Sequence, residues 1–162
     1  MAKHRGFQNA EEYFQLLKQN WNKIITKKDL TYILGDVTME TDKFYHLLNE
    51  LNGRKIVVLG NHDKPKHVRT LLQYVETVAG MIDYKGFVLT HCPIHPDEIP
   101  WCRGNIHAHI HHNELSELEA THYDNKTKHK TLEKYFNVDA HKIGFIPKTL
   151  QELLKNNKYD KN

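Results

Sequence analysis

The 162-residue chain has only two cysteines, Cys92 and Cys102, and no apolar run near the roughly 20 residues that a membrane helix needs. Two thiols cannot build a disulfide scaffold or a thiolate-rich structural zinc site. The first nine residues are polar and lack the roughly 7 to 15 apolar residues of a secretory signal, so a cytoplasmic protein without a membrane span is expected. No Pro/Gly/Ser-rich linker, low-complexity segment or repeat interrupts the chain. A single domain over 1–162 is therefore expected, of a size that buries a core without staples. Charge of one sign is also lacking: 23 Lys and Arg against 20 Asp and Glu leave +3, with no concentrated basic stripe. Duplex nucleic acid is thus a poor candidate partner, while a phosphorylated substrate is permitted.

What is abundant is histidine, 13 in all, or about one residue in twelve. The remaining composition, 39% hydrophobic and 27% charged, is that of a globular chain. Ala10, Tyr13, Phe14, Leu17 and Trp21 recur at helical spacing behind a capping Asn9, predicting an amphipathic helix over 9–23. The short apolar runs 30–34 and 55–59 read as buried strands, each closed by glycine. Between them Phe44, Leu47, Leu48 and Leu51 predict a second helix, and 67–74 a third. Residues 75–91 read as two strands joined at Tyr84-Lys85-Gly86, the second delivering His91. Residues 105–111 alternate imidazole with Ile and Ala, predicting a strand with His107, His109 and His111 on one face and His112 on the other. Segments 136–138 and 143–145 read as strands and 147–155 as a terminal helix.

Asp36, Asn61, His91 and the 107–111 run all follow strand ends, where open α/β sheets form their sites. Carboxylate, amide oxygen and imidazole together suit Mn²⁺, Fe²⁺, Co²⁺, Ni²⁺ or Zn²⁺.

Gly35-Asp36, Gly60-Asn61-His62-Asp63, Thr90-His91-Cys92-Pro93 and Ala108-His109-Ile110-His111, in that order, resemble the signatures of the calcineurin-like metallophosphoesterases, small phage and bacterial members above all. Ala108 stands where the family usually has glycine. Phe136-Asn137-Val138-Asp139 and Pro147-Lys148-Thr149-Leu150 are similar to its closing strand and helix. The resemblance implies an α/β fold, a calcineurin-like β-sandwich flanked by helices in four αββα layers. It also implies hydrolysis of a phosphomonoester or phosphodiester, on a small molecule or nucleotide-type substrate, by attack of metal-bound hydroxide. By the same resemblance Asp36 bridges two metals, Asn61, His91 and His109 complete one site, and His111 serves the other. His62 contacts the phosphate and protonates or stabilises the leaving oxygen, with Asp63 fixing its tautomer. Mn²⁺ is the foremost candidate ion, followed by Zn²⁺, Fe²⁺, Ni²⁺ and Co²⁺.

The family's opening strand with Asp-x-His is missing from this sequence, whether by shortening of a longer reading frame or by natural loss. One well-held metal and a second that is weak or absent are expected, the gap being open to His4, His107 or a second copy. A sheet short of a strand exposes an edge, which makes a homo-oligomer a further expectation. A catalytically weakened metal-binding or protein-binding member and a nuclease of the same fold stand as alternatives. His46, His67, His122, His129 and His141 read as surface or capping residues, and His95 either as a support behind the metal ligands or as a surface residue. Cys92 reads as a small buried residue, and Lys64 and Arg103 as candidate phosphate contacts flanking the cleft.

Overall fold

A computed structural model describes residues 6–111, 113–115, 121–123, 128–130 and 132–156, without the side chains of the two short segments 121–123 and 128–130 or of Asn156. The chain is mixed α/β, with two facing sheets and flanking helices. Helix α1 (Ala10–Ile24) starts at Asn9, whose side chain accepts the Glu12 N–H at 2.9 Å, while Glu12 reaches back to the Gln8 N–H. One of the backbone donors at the helix start is thereby satisfied, together with the N–H of the residue before the cap. Its end is tied to the loop before β2, where Trp21 Nε1 donates to the Asn52 carbonyl at 2.8 Å and Asn52 N–H to Asn22.

Strands β1 (Leu30–Ile33), β2 (Arg54–Val58) and β3 (Thr77–Ala79) form a parallel sheet with β2 in the middle. Central position explains the continuous apolar run of β2: Val57 and Val58 are both fully buried, on opposite faces. Val57 packs with Trp21, Tyr45, Leu48 and Leu71 under the helices. Val58 packs with Leu34, Phe87, Leu89 and Ile106 between the two sheets. The second sheet joins β4 (Ile82–Tyr84), β5 (Phe87–Leu89), β6 (Gly104–His107) and β9 (Tyr135–Asn137), antiparallel between β4 and β5 and parallel thereafter. A two-stranded ribbon of β7 (Thr121–Tyr123) and β8 (Lys128–Lys130) lies before β9, and α3 (Leu150–Asn156) sets Leu150, Leu153 and Leu154 on the core between the sheets.

Several local expectations are corrected. The second helix is a 3-10 turn, Tyr45–Glu50, since apolar spacing of three and four residues fits either helix type. The third is a 3-10 turn, Pro65–His67, followed by the short α2 (Val68–Leu71). The segment 75–91 holds three strands rather than two. Residues 143–145 are a turn, not a strand, with Phe145 at φ 58° packed edge-on against Phe7 and Tyr13. Strand β6 ends at His107, so the alternation 105–111 is not one strand. No helix among the described residues is long and apolar enough to cross a membrane.

Candidate metal centre

Parallel register brings the site together. Ile33 pairs with Val57, so three residues on, Asp36 arrives beside Gly60 at the carboxyl ends of β1 and β2. Leu89 pairs with Ile106, which sets His91 against Ala108, and the Ala108 N–H donates to the His91 carbonyl at 2.9 Å. Both glycines are required by this close approach. A Cβ on Gly35, itself at φ 79°, would stand 2.6 Å from His91 Nδ1, and one on Gly60 would stand 2.9 Å from His91 Cε1 and collide with Asp36.

His91, 5% exposed, bridges the sheets: its Nδ1 lies 2.7 Å from the Leu34 carbonyl, an acceptor, so Nδ1 carries the proton. Nε2 then faces Asn61 Oδ1 and His109 Nδ1 at 3.1 Å each and Asp36 Oδ2 at 3.2 Å. In the neutral ring the Nε2 lone pair meets the oxygens of Asn61 and Asp36, and the arrangement asks for a shared proton on one of the imidazole nitrogens or a cation between the donors. Burial lowers the His91 proton affinity, but the bond to Asp36 and the Leu34 carbonyl outweigh it and the net shift is upward. Asp36 moves the other way: burial raises it, and the His91 ring with the His62 N–H at 2.9 Å pulls it below the usual carboxylate range. Burial and the neighbouring His91 push His109 down. Oxygen and nitrogen donors of this kind fit a divalent ion of the Mn²⁺ to Zn²⁺ series, so the four residues fit the expected metal.

Asp36, Asn61, His91 and His109 are thus brought together; His111 stands apart from that cluster. Its Nδ1 lies 3.1 Å from Asp139, a buried carboxylate that also accepts the His141 N–H. A carboxylate behind an imidazole fixes its tautomer, leaving Nε2 as the outward donor. Of the six non-glycine residues at positive φ among the described residues, Asp36, Glu40, His109 and His111 are four. Left-handed backbone at His109 and His111 explains why the strand is not carried on beyond His107. His107 leaves the face of the other two: it is 1% exposed, with Nδ1 3.1 Å from the Ala108 carbonyl and its ring against Tyr135. Burial pushes its pKa down.

Asp63 does not partner His62. Buried, it accepts the N–H groups of Asp36, Val37 and Gly60 at 2.8, 3.1 and 2.9 Å, locking the two loops together, and its burial pushes the carboxyl up against those bonds. The partner of His62 is Glu40, 3.2 Å from Nδ1 and 3.0 Å from Lys64 Nζ. Nothing in the periodicity of the Val37 to Lys43 loop singles out Glu40, and only its acidic character amid Thr and Met could have drawn notice. Lys64 stays beside His62, but Arg103 leaves the cleft: it lies over the Phe87 ring and donates to the Lys85 carbonyl, at the opposite end of β5 from His91. Cys92 is exposed rather than buried, and its sulfur and the imidazole nitrogens of His91 and His109 lie within 4.8 Å of one another. His95 caps the turn Pro96–Trp101, and His67 pairs with Asp42. His4 and His112 lie outside the described residues, as do the side chains of His122 and His129.

No family model matches the chain. A stretch of 61 residues, 35% of this chain and 30% of the other, is 36% identical to the gene 66 protein of Mycobacterium phage L5. The crystal structure of AQ665 from Aquifex aeolicus, a protein of unknown function, superposes with a TM-score of 0.65 over 94% of this chain and 89% of that one, at 22% identity, and so shares the fold. Over 155 residues, 94% of this chain and 79% of the other, the sequence is 31% identical to uncharacterized protein MJ1445 of Methanocaldococcus jannaschii, and the chain belongs to the family of that protein.

Proposed function

We propose that the chain is a metal-dependent phosphoesterase with a calcineurin-like sandwich, hydrolysing a phosphomonoester or phosphodiester of a small or nucleotide-type substrate. The carrying observation is the convergence of Asp36, Asn61 and His109 on His91 Nε2 at 3.1 to 3.2 Å. A divalent ion held there, with or without a second near His111, supplies Lewis acidity toward a phosphoryl oxygen and toward the attacking water. Asp36 contributes the anionic donor, Asn61 a neutral oxygen, and the two imidazoles their ring nitrogens. Glu40 holds His62 at Nδ1, and in the imidazolium form the second ring proton, on Nε2, is the one given to the leaving oxygen, the ring returning to its neutral Nδ1–H form. Lys64 adds positive charge on the same side. Asp63 keeps the loops carrying Asp36 and Asn61 at one spacing. The test is hydrolysis of bis-p-nitrophenyl phosphate and of p-nitrophenyl phosphate by the metal-loaded protein. Turnover that depends on Mn²⁺ and is lost on chelation supports the proposal, and bound metal without turnover on either ester or on nucleotides overturns it.

A metal-binding member without turnover is the second reading. Among the described residues His111 is engaged by Asp139, and one cluster of His and Cys donors assembles rather than two. One bound ion per chain with no hydrolysis favours it, and two ions with hydrolysis favour the enzyme.

A further inference from the structure

Cys92 stands at the solvent side of the site without a task in phosphoester chemistry. We propose that Cys92 Sγ is a ligand of the same cation, making a mixed oxygen, nitrogen and sulfur centre that selects thiophilic Zn²⁺, Cd²⁺ or Co²⁺ over Mn²⁺ and Mg²⁺. The inference rests on the reading of Asp36, Asn61, His91 and His109 as a cation site.

Two independent observations meet here. The first is the buried His91 ring, whose Nε2, once Nδ1 is committed to Leu34, faces the side-chain oxygens of Asn61 and Asp36 and the Nδ1 of His109. The second is the placement of the sulfur with the His91 and His109 nitrogens inside 4.8 Å. Sulfur and nitrogen on one five-ligand ion, with bonds of about 2.3 and 2.1 Å, stand about 3.1 to 3.8 Å apart, so closing the group takes a shift of about 1.7 Å at most. His91 is buried, His109 half-buried and Cys92 exposed, so the thiol closes the centre from the solvent side.

The backbone at Cys92 is held rigidly enough to make this placement specific. Asn105, fully buried, donates to the Val88 carbonyl and Thr90 Oγ1 at 2.8 Å each and accepts the Ile94 N–H at 3.1 Å. Thr90 Oγ1 in turn donates to the Cys92 carbonyl at 2.6 Å. The other cysteine offers a contrast: Cys102 Sγ is directed at the carbonyls of Glu98 and Ile99. Soft thiolate raises affinity for Zn²⁺ and its neighbours far more than for Mn²⁺ or Mg²⁺. On coordination the Cys92 S–H bond breaks, its proton passes to solvent, and the sulfur pair forms the bond to the ion, with no change of oxidation state.

The experiment is a Co²⁺ titration of the chelator-treated full chain, followed by visible and near-ultraviolet absorption. Visible d–d bands together with a near-ultraviolet sulfur-to-cobalt charge-transfer band are expected. The charge-transfer band disappears in Cys92→Ser and persists in Cys102→Ser. Zn²⁺ affinity in Cys92→Ser falls about ten- to a hundredfold, while Mn²⁺ affinity changes far less. Cobalt that binds with d–d bands but without the charge-transfer band overturns the sulfur ligand and leaves the oxygen and nitrogen centre standing. A band that follows Cys102 instead of Cys92 does the same. No bound cobalt after gel filtration overturns both readings.

Discussion

His91 carries two commitments at once, a proton on Nδ1 held by the Leu34 carbonyl and an Nε2 aimed at Asp36, Asn61 and His109. Removing one anionic donor should therefore cost metal outright, while removing His62 should not. Asp36→Ala is expected to lower bound metal to the level of chelated protein in elemental analysis. His62→Ala is expected to keep full metal content and lower kcat by about 10²- to 10⁴-fold, the usual scale of a general acid. Loss of metal in His62→Ala would contradict the division of roles. Asp63 belongs to a different class. Asp63→Ala leaves three backbone N–H groups without their acceptor, at about 1 to 3 kcal/mol for each that stays buried. A drop of about 3 kcal/mol or more in urea unfolding is expected, even with no metal present. The resemblance suggested Asp63 as the partner of His62, but the Asp63 carboxylate is spent on the N–H groups of Asp36, Val37 and Gly60. Glu40, distant in sequence, reaches the imidazole because left-handed backbone at φ 58° turns its loop back.

At the scale of elements, the ends of β1 and β2 were legible because physics repeats itself at both: a short apolar run, then a glycine, then a donor. Gly35 and Gly60 admit the approach of β1, β2 and the His91 ring, and a methyl there has no room. Gly60→Ala is expected to fold with reduced stability and to weaken metal binding at least about tenfold by calorimetry, comparable to loss of a ligand's supporting contact. Unchanged affinity would show that the strand ends do not need to meet so closely. The 105–111 run misled for an identifiable reason. A period of two marks a strand only while φ stays negative, and the left-handed residues His109 and His111 keep the alternation in sequence while leaving the strand in space. Likewise Leu47, Leu48 and Leu51 mark a buried face without telling an α-helix from the 3-10 turn that forms.

For the whole molecule, the two buried imidazoles set opposite limits on stability. His107 is held neutral by burial, so its contribution is present above the unfolded value of about 6.5 and is lost as pH falls through the lower folded value. His91, raised by Asp36 and Leu34 against its burial, contributes fully below about 6.5 and loses that contribution as pH rises through its folded value. Chelator-treated protein is expected to melt highest near neutrality and to lose Tm on both sides. Saturating Mn²⁺ should abolish the alkaline fall, because the ion takes the place of the His91 proton, and should leave the acid fall in place. An alkaline limb that persists with metal bound would contradict the pairing of His91 with the ion. The most direct measurement is anomalous scattering from crystals of the Mn²⁺-loaded protein. The expected result is a peak within bonding distance of Asp36, Asn61, His91 and His109 together; ordered metal elsewhere, with these four side chains bonded only to one another, would contradict it.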